Sequence, residues 1–147
     1  MKFTKMHGAG NDYIYIEDLK GNIKKPSQLA VEMSNRNFGV GSDGLILILK
    51  SKNADFRMRM FNSDGSESEM CGNGIRCFAK YVYDHKLTDK DELNIETGGG
   101  IKHLKLKFKK GLVDAVRVDM GEPVLQRERI PMIGEPGMVI NEDLHLP

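Results

Sequence analysis

Only two cysteines, Cys71 and Cys77, occur in the 147 residues. They are too few for a disulfide framework, and with no export signal ahead of them they read as free thiols. The histidines His7, His85, His103 and His145 are scattered, none at zinc-ligand spacing from a cysteine, so no metal site is expected. Excess charge of one sign is also missing. Twenty-two basic residues against twenty-one acidic ones leave +1, so neither nucleic acid nor an anionic membrane is an expected partner. No apolar run reaches the length of a leader or a membrane span, and the expected location is the cytoplasm. The glycines at 39, 41 and 44 match neither a dinucleotide fingerprint nor a P-loop with its lysine. No Cys-x-x-Cys pair points to thiol redox chemistry.

What is present suits a globular chain, with 39% hydrophobic and 29% charged residues. The length allows one domain with a sizeable core, or one domain and part of another. Asn11-Asp12-Tyr13-Ile14-Tyr15-Ile16 follows a Gly-Ala-Gly turn and reads as a strand. Pro26 and Ser27 open a short helix with Leu29, Ala30 and Met33 on one face, ending near Asn35. Leu45 to Leu49 has no polar position, which predicts a buried strand. Arg57 to Phe61 alternates up to the turn Asn62-Ser63-Asp64-Gly65. Leu104, Leu106 and Phe108 alternate with lysines as a strand with one wet face. Lys110-Gly111 turns it into a partner carrying Val116 and Val118. After Asp119 the prolines at 123, 131, 136 and 147 cut the chain into short extended pieces.

The chemistry concentrates in Met70-Cys71-Gly72-Asn73-Gly74-Ile75-Arg76-Cys77. From Gly74 onward, Ile75, Phe78, Ala79 and Val82 fall at i, i+3, i+4 and i+7, the stripe of a helix packed on a core and fraying near Lys86. Cys71 stands just ahead of that helix. Early helical N–H groups have no internal partner, and with the helix dipole they favour negative charge by roughly 0.3–1 kcal/mol in exposed settings. Two anions suit the place: the thiolate of Cys71 and the carboxylate of a ligand. Gly72 and Gly74 let a ligand approach the backbone. A lone Cys-Gly pair is more often a buried cysteine beside a turn, and Cys77, inside the helix and turned away from Cys71, is read that way. His7-Gly8-Ala9-Gly10-Asn11-Asp12 fits a binding loop or a plain tight turn equally well. Asn62, at a strand end, offers an amide to a polar ligand.

Three segments together resemble the diaminopimelate epimerase family: Phe3 to Asp12, Gly39-Val40-Gly41-Ser42-Asp43-Gly44, and Asn62 through Cys77. They occur in the family's order over the first eighty residues, and the last is long and specific. Val118-Asp119-Met120-Gly121-Glu122-Pro123 fits where the family's first domain passes into its second. The resemblance implies an α/β (α+β) fold, each of two similar domains a mixed β-sheet wrapped around a central α-helix, with the active site between them. It implies interconversion of LL- and meso-diaminopimelate without pyridoxal phosphate, metal or other cofactor, and a homodimer of the complete enzyme. Two cysteines, one per domain, face the α-carbon from opposite sides, and Cys71 is one of that pair. Gly72 and Asn73 bind the α-carboxylate, and Asn11 and Asn62 contact the substrate. Where some members place a substrate-touching glutamine this chain has Gly44, so that contact does not carry over. Residues 1–118 are then the first domain, and 119–147 begin the second. The family's second Cys-Gly motif does not occur within these residues, so the chain reads as a half-enzyme, truncated or completed by a partner. A racemase of another amino acid such as histidine on the same fold, and a non-catalytic truncated paralogue, are the competing readings.

Overall fold

The computed structural model describes residues 1–130 and 132–143. β1 (Thr4–Gly8) pairs antiparallel with β2 (Asn11–Glu17), from Gly8↔Asn11 to Thr4↔Tyr15. Between them Ala9 and Gly10 both have positive φ, 54° and 84°, the two-residue hairpin geometry that follows the strands' right-handed twist. A left-handed alanine costs about 1 kcal/mol, and here it places Asn11 at the first position of the returning strand.

The chain continues through α1 (Pro26–Ser34), β3 (Gly44–Leu49), β4 (Phe56–Asn62), β5 (Glu67–Ser68), α2 (Gly72–Asp84), β6 (Glu92–Thr97), β7 (Gly100–Lys109) and β8 (Leu112–Val118). The sheet runs β1-β2-β3-β4-β6-β7-β8, with β5 paired to β4 outside that path. The pairs β2–β3 and β4–β6 are parallel and the others antiparallel, so the sheet is mixed. It curls round α2, which packs against β1 and β2 on one side and β7 and β8 on the other. α1 lies against β3 and β4.

β3 lacks a polar face because both its faces are covered. Ile46 and Ile48 join α2's Ile75, Phe78 and Val82 in the larger core, and Leu45 and Leu47 join Ala30 and Phe61 in the smaller one. Along α2 the expected stripe of Ile75, Phe78, Ala79 and Val82 is fully buried, and Tyr81 widens it. Each large apolar side chain removed from water there contributes roughly 1.5–3 kcal/mol. The lysine-rich strand and its partner form the β7–β8 hairpin around Lys110 and Gly111, both with positive φ. One detail departs from regular pairing. The register skips Asp114 of β8, between Lys107↔Ala115 and Phe108↔Val113, and Phe108 lies half-exposed against Tyr83 of α2, with ring centroids 4.7 Å apart.

Three strands lie outside the sequence-based expectations. β1 carries a single half-buried apolar residue, Met6, so its alternation is faint. β5 is two residues long. β6 does alternate, with Leu93, Ile95 and Thr97 inward, but its short run sits behind the polar stretch Thr88 to Asp91. After Val118 the described residues add no strand to the sheet; they form a 3-10 turn (Arg127–Arg129) and one isolated bridge, Gln126 to Met138. Pro131 and Pro147 lie outside the described residues.

Gly44 links fold to site. It pairs with Tyr13 on one side and Asn62 on the other. A Cβ there would stand 2.1 Å from the Phe61 carbonyl oxygen and 2.8 Å from Tyr13 Cε1. No side chain at 44 fits this backbone, and the Tyr13 ring occupies the adjacent space. Gly44→Ala is therefore expected to destabilise the protein by about 2–3 kcal/mol through forced shifts of β3 against β4. A urea midpoint equal to that of the parent protein would contradict this packing.

Candidate active site

Cys71 is the N-cap of α2, with extended backbone (φ −137°, ψ 118°). Its Sγ accepts a hydrogen bond from the Gly74 N–H at 3.3 Å, the bond a serine or aspartate usually makes at this position. The Ile75 N–H turns to the Cys71 carbonyl, 2.9 Å away. This divides the first-turn donors. The third serves the sulfur and the fourth the cap carbonyl, while the helix offers no acceptor to the N–H groups of Gly72 and Asn73. Among the described residues these two backbone donors have no acceptor, and they stand beside the thiol at the positive end of the helix dipole, where a carboxylate is favoured. A Cβ on Gly72 would find only the Arg76 guanidinium near it, at 3.8 Å, so space above this turn is open.

The surroundings hold the cap from three directions. From β2, Asn11 accepts the Cys71 S–H on its Oδ1 at 3.4 Å. From below, the buried Tyr15 hydroxyl donates to the Gly74 carbonyl at 3.0 Å. Gly74 is bare because a Cβ would meet Ile46 Cδ1 at 2.8 Å, so the helix start rests directly on β3. Ahead of the cap, the Glu69 carbonyl accepts from the Gly99 N–H at 3.2 Å, which ties the approach to Cys71 onto the β6–β7 turn. Asn73 turns its side-chain oxygen to the Arg76 guanidinium, leaving its backbone N–H as its contribution at the helix start.

Of the residues selected from sequence, Cys71, Gly72, Asn73 and Asn11 come together at one point. Asn62 lies at the same end of the sheet, one strand beyond Gly44, but makes no hydrogen bond to Cys71. Its amide donates to Ser66 Oγ at 2.9 Å, within a turn that Asp64 organises through Ser66. Gly44 has no side chain to offer. Cys77 is buried in the core, where burial pushes its thiol up from the ordinary range. His7 is exposed on β1 and takes no part in the thiol's hydrogen bonds.

Tyr13, Tyr15, Asp43 and Arg36 were not singled out in the sequence. Tyr13 is buried beside Cys71 and Asn11; burial, and then the charge of a Cys71 thiolate, raise its phenol above the usual range. The available signal was a tyrosine where a core strand needs only a phenylalanine, since a buried hydroxyl has to find a partner. Asp43 accepts from the Asn11 amide and the Asp12 N–H, and Arg36 bridges Asp12 and Asp43. Among the described residues no group of three or more histidine, cysteine, aspartate or glutamate side chains converges as metal ligands do. No helix among the described residues is long and apolar enough to cross a membrane.

Solved structures of similar fold fit this architecture. A Bacillus anthracis phenazine biosynthesis protein of the PhzF family aligns with TM-score 0.58 at 26% identity, over 75% of this chain and 38% of that one. A methylitaconate-delta-isomerase aligns with TM-score 0.61 at 13% identity, over 76% and 35%, which bears on the fold alone. In sequence, the diaminopimelate epimerase of Agathobacter rectalis is 57% identical over 143 residues, 97% of this chain and 50% of the relative. That of Methanococcus maripaludis is 57% identical over 144 residues, 98% and 52%. The chain thus spans about half the length of the curated relatives it matches. The profile of the family described as Diaminopimelate epimerase matches residues 3–126, and with the mixed sheet curled round the helix that Cys71 caps, this chain belongs to that family.

Proposed function

We propose that these residues form one wall of the active site of an epimerase that interconverts LL- and meso-diaminopimelate without a cofactor. The observation that carries the reading is the division of donors at the start of α2: one N–H on the Cys71 sulfur, two left open beside it. An amino-acid carboxylate on the Gly72 and Asn73 N–H groups sets its α-carbon next to Sγ. The Cys71 thiolate then takes the α-proton, and the electron pair left on carbon spreads into the carboxylate. Its developing charge is met by donors already in place, which spares the reorganisation water would require. Inversion is completed when a second acid, on the opposite face, gives a proton to the same carbon. In the family that acid is the cysteine of a second Cys-Gly motif.

In this reading residues 1–118 are the first domain and 119–147 begin the second. Asn11 and Asn62 reach toward the rest of the substrate. The complete enzyme works in the cytoplasm as a homodimer, in lysine and peptidoglycan-precursor synthesis. Because the helix start handles only the α-carbon end, substrate choice rests on groups at the distal end.

A panel of single amino acids tests the assignment in the full-length protein without added pyridoxal phosphate. LL-diaminopimelate should turn over at a kcat/KM at least about 100-fold above L-histidine or L-proline, the discrimination expected when a site's buried polar groups are left unpaired by the wrong ligand. Preference for another amino acid would replace the substrate and keep the chemistry. No α-proton exchange with any amino acid would remove both.

A further inference from the structure

Asn11 holds a particular orientation for a reason found one residue away from the thiol. Its Nδ2 lies 2.8 Å from Asp43 Oδ2, and the Asp12 N–H donates to that same oxygen at 3.0 Å. Asp43 is fixed in turn: its Oδ1 receives the Arg36 guanidinium at 3.0 Å, and its N–H donates to the Asp12 carbonyl at 2.8 Å. Arg36 also pairs with Asp12 at 2.8 Å, and Lys5 with Asp12 at 3.0 Å. The Arg36 hydrogen bond holds the Asp12 carboxyl well below the usual carboxylate range, so Asp12 stays charged at neutral pH. A carboxylate only accepts hydrogen bonds. The amide end facing Asp43 must therefore be the NH2, and the end facing Cys71 must be the oxygen.

We propose that Asp43 is a positioning residue for the epimerase site: it locks the Asn11 amide so that only its oxygen faces Cys71. The inference rests on the reading of Cys71 as the acid–base group. Its consequence is a thiol poised between two partners of opposite preference. The Asn11 oxygen accepts from the protonated sulfur and gains nothing from a thiolate, while the Gly74 N–H favours the anion. Once Cys71 gives up its proton, the Asn11 oxygen is left without a donor. It is then free to accept from the ammonium of an amino acid, a donor that a flipped amide would repel. An unlocked amide turns its NH2 toward the sulfur instead and stabilises the thiolate before substrate arrives.

The titratable and charged groups around Cys71 are Tyr13 and Tyr15 on β2, Arg76 and Cys77 on α2, and Asp43 itself. The lock makes Asp43 act through Asn11 rather than through space, which a double-mutant cycle separates. In the full-length protein, iodoacetamide alkylation of Cys71 is followed against pH by mass spectrometry of its own peptide. Asp43→Ala should move the midpoint to lower pH and speed alkylation at pH 7 on the order of fivefold, the factor of one ordinary hydrogen bond. In an Asn11→Ala background the same substitution should change nothing. An equal shift in both backgrounds would overturn the proposal in favour of charge acting directly, and no shift in either would overturn it outright. Should Asp43→Ala fail to fold, the parent protein labelled with 15N-asparagine decides. The Asn11 NH2 protons should show cross-relaxation with the Asp12 amide proton, and cross-relaxation with the Cys71 β-protons instead would reverse the orientation. Neither readout uses a substrate, so failure of the epimerase reading, seen as turnover by Cys71→Ala, remains a separate result.

Discussion

Assayed by itself, a polypeptide of these 147 residues should leave LL-diaminopimelate unconverted, with turnover at least about 1,000-fold below that of the full-length protein. The magnitude follows from losing a positioned general acid, typically 100- to 10,000-fold, together with half of the cleft wall. Inverting a stereocentre by two bases requires a donor on the face opposite the acceptor, and in the proposed mechanism Cys71 serves one face only. The other thiol of the segment cannot stand in for it: Cys77 is 7% exposed, packed among the side chains of the larger core, and burial disfavours its thiolate. Water over the open helix start further weakens the electrostatics that stabilise a carbanion-like transition state. Mixing the segment with the remainder of the full-length protein, as a separate chain, should restore activity. Turnover near the full-length value without that addition would contradict the two-base chemistry. Slow wash-out of the α-proton into deuterated water without inversion is compatible with it, since one thiolate on one face suffices for exchange.

Much of this architecture is legible in the sequence because single positions carry strong physical constraints. The unbroken apolar run of β3 announces a strand covered on both faces, and the structure supplies α2 on one and α1 on the other. The stripe from Ile75 to Val82 announces the central helix with Cys71 just ahead of it, while the role of Cys71 as that helix's N-cap is visible only in the structure. What the sequence does not display is whatever depends on partners distant along the chain. β6 becomes a strand because β4 and β7 lie on either side of it, and β1 because the Ala9–Gly10 turn folds it back onto β2. The bareness of Gly44 has meaning only once the Phe61 carbonyl is seen against it. The same holds at the site. Asn11 and Cys71 are 60 positions apart and Asn11 and Asp43 32 apart, so no local pattern marks them as a chain of contacts. Tyr13 and Tyr15 read as ordinary strand residues until the helix start they support is in place.

Exchange of the substrate's α-proton with deuterated water in a Cys71→Ala variant of the full-length protein tests the central assignment most directly. The substitution removes one hydrogen bond from Gly74 and one to Asn11 and trims a partly buried sulfur at the border of the larger core, leaving the buried side chains of α2's stripe in place. The fold should therefore survive, with a stability cost of about 1 kcal/mol, in the range for loss of a helix cap. Cys77→Ala is the matched control: it trims a buried thiol, should cost a similar amount of stability, and should leave exchange within a few-fold of the parent. Cys71→Ala, folded by circular dichroism and of near-parental melting temperature, is expected to lose epimerisation by about 1,000-fold or more. Exchange at the face assigned to Cys71 should be lost with it, while Cys77→Ala should keep both activities. A folded Cys71→Ala protein that still epimerises diaminopimelate at a substantial fraction of the parental rate, or a Cys77→Ala protein that loses turnover at unchanged stability, would contradict the assignment.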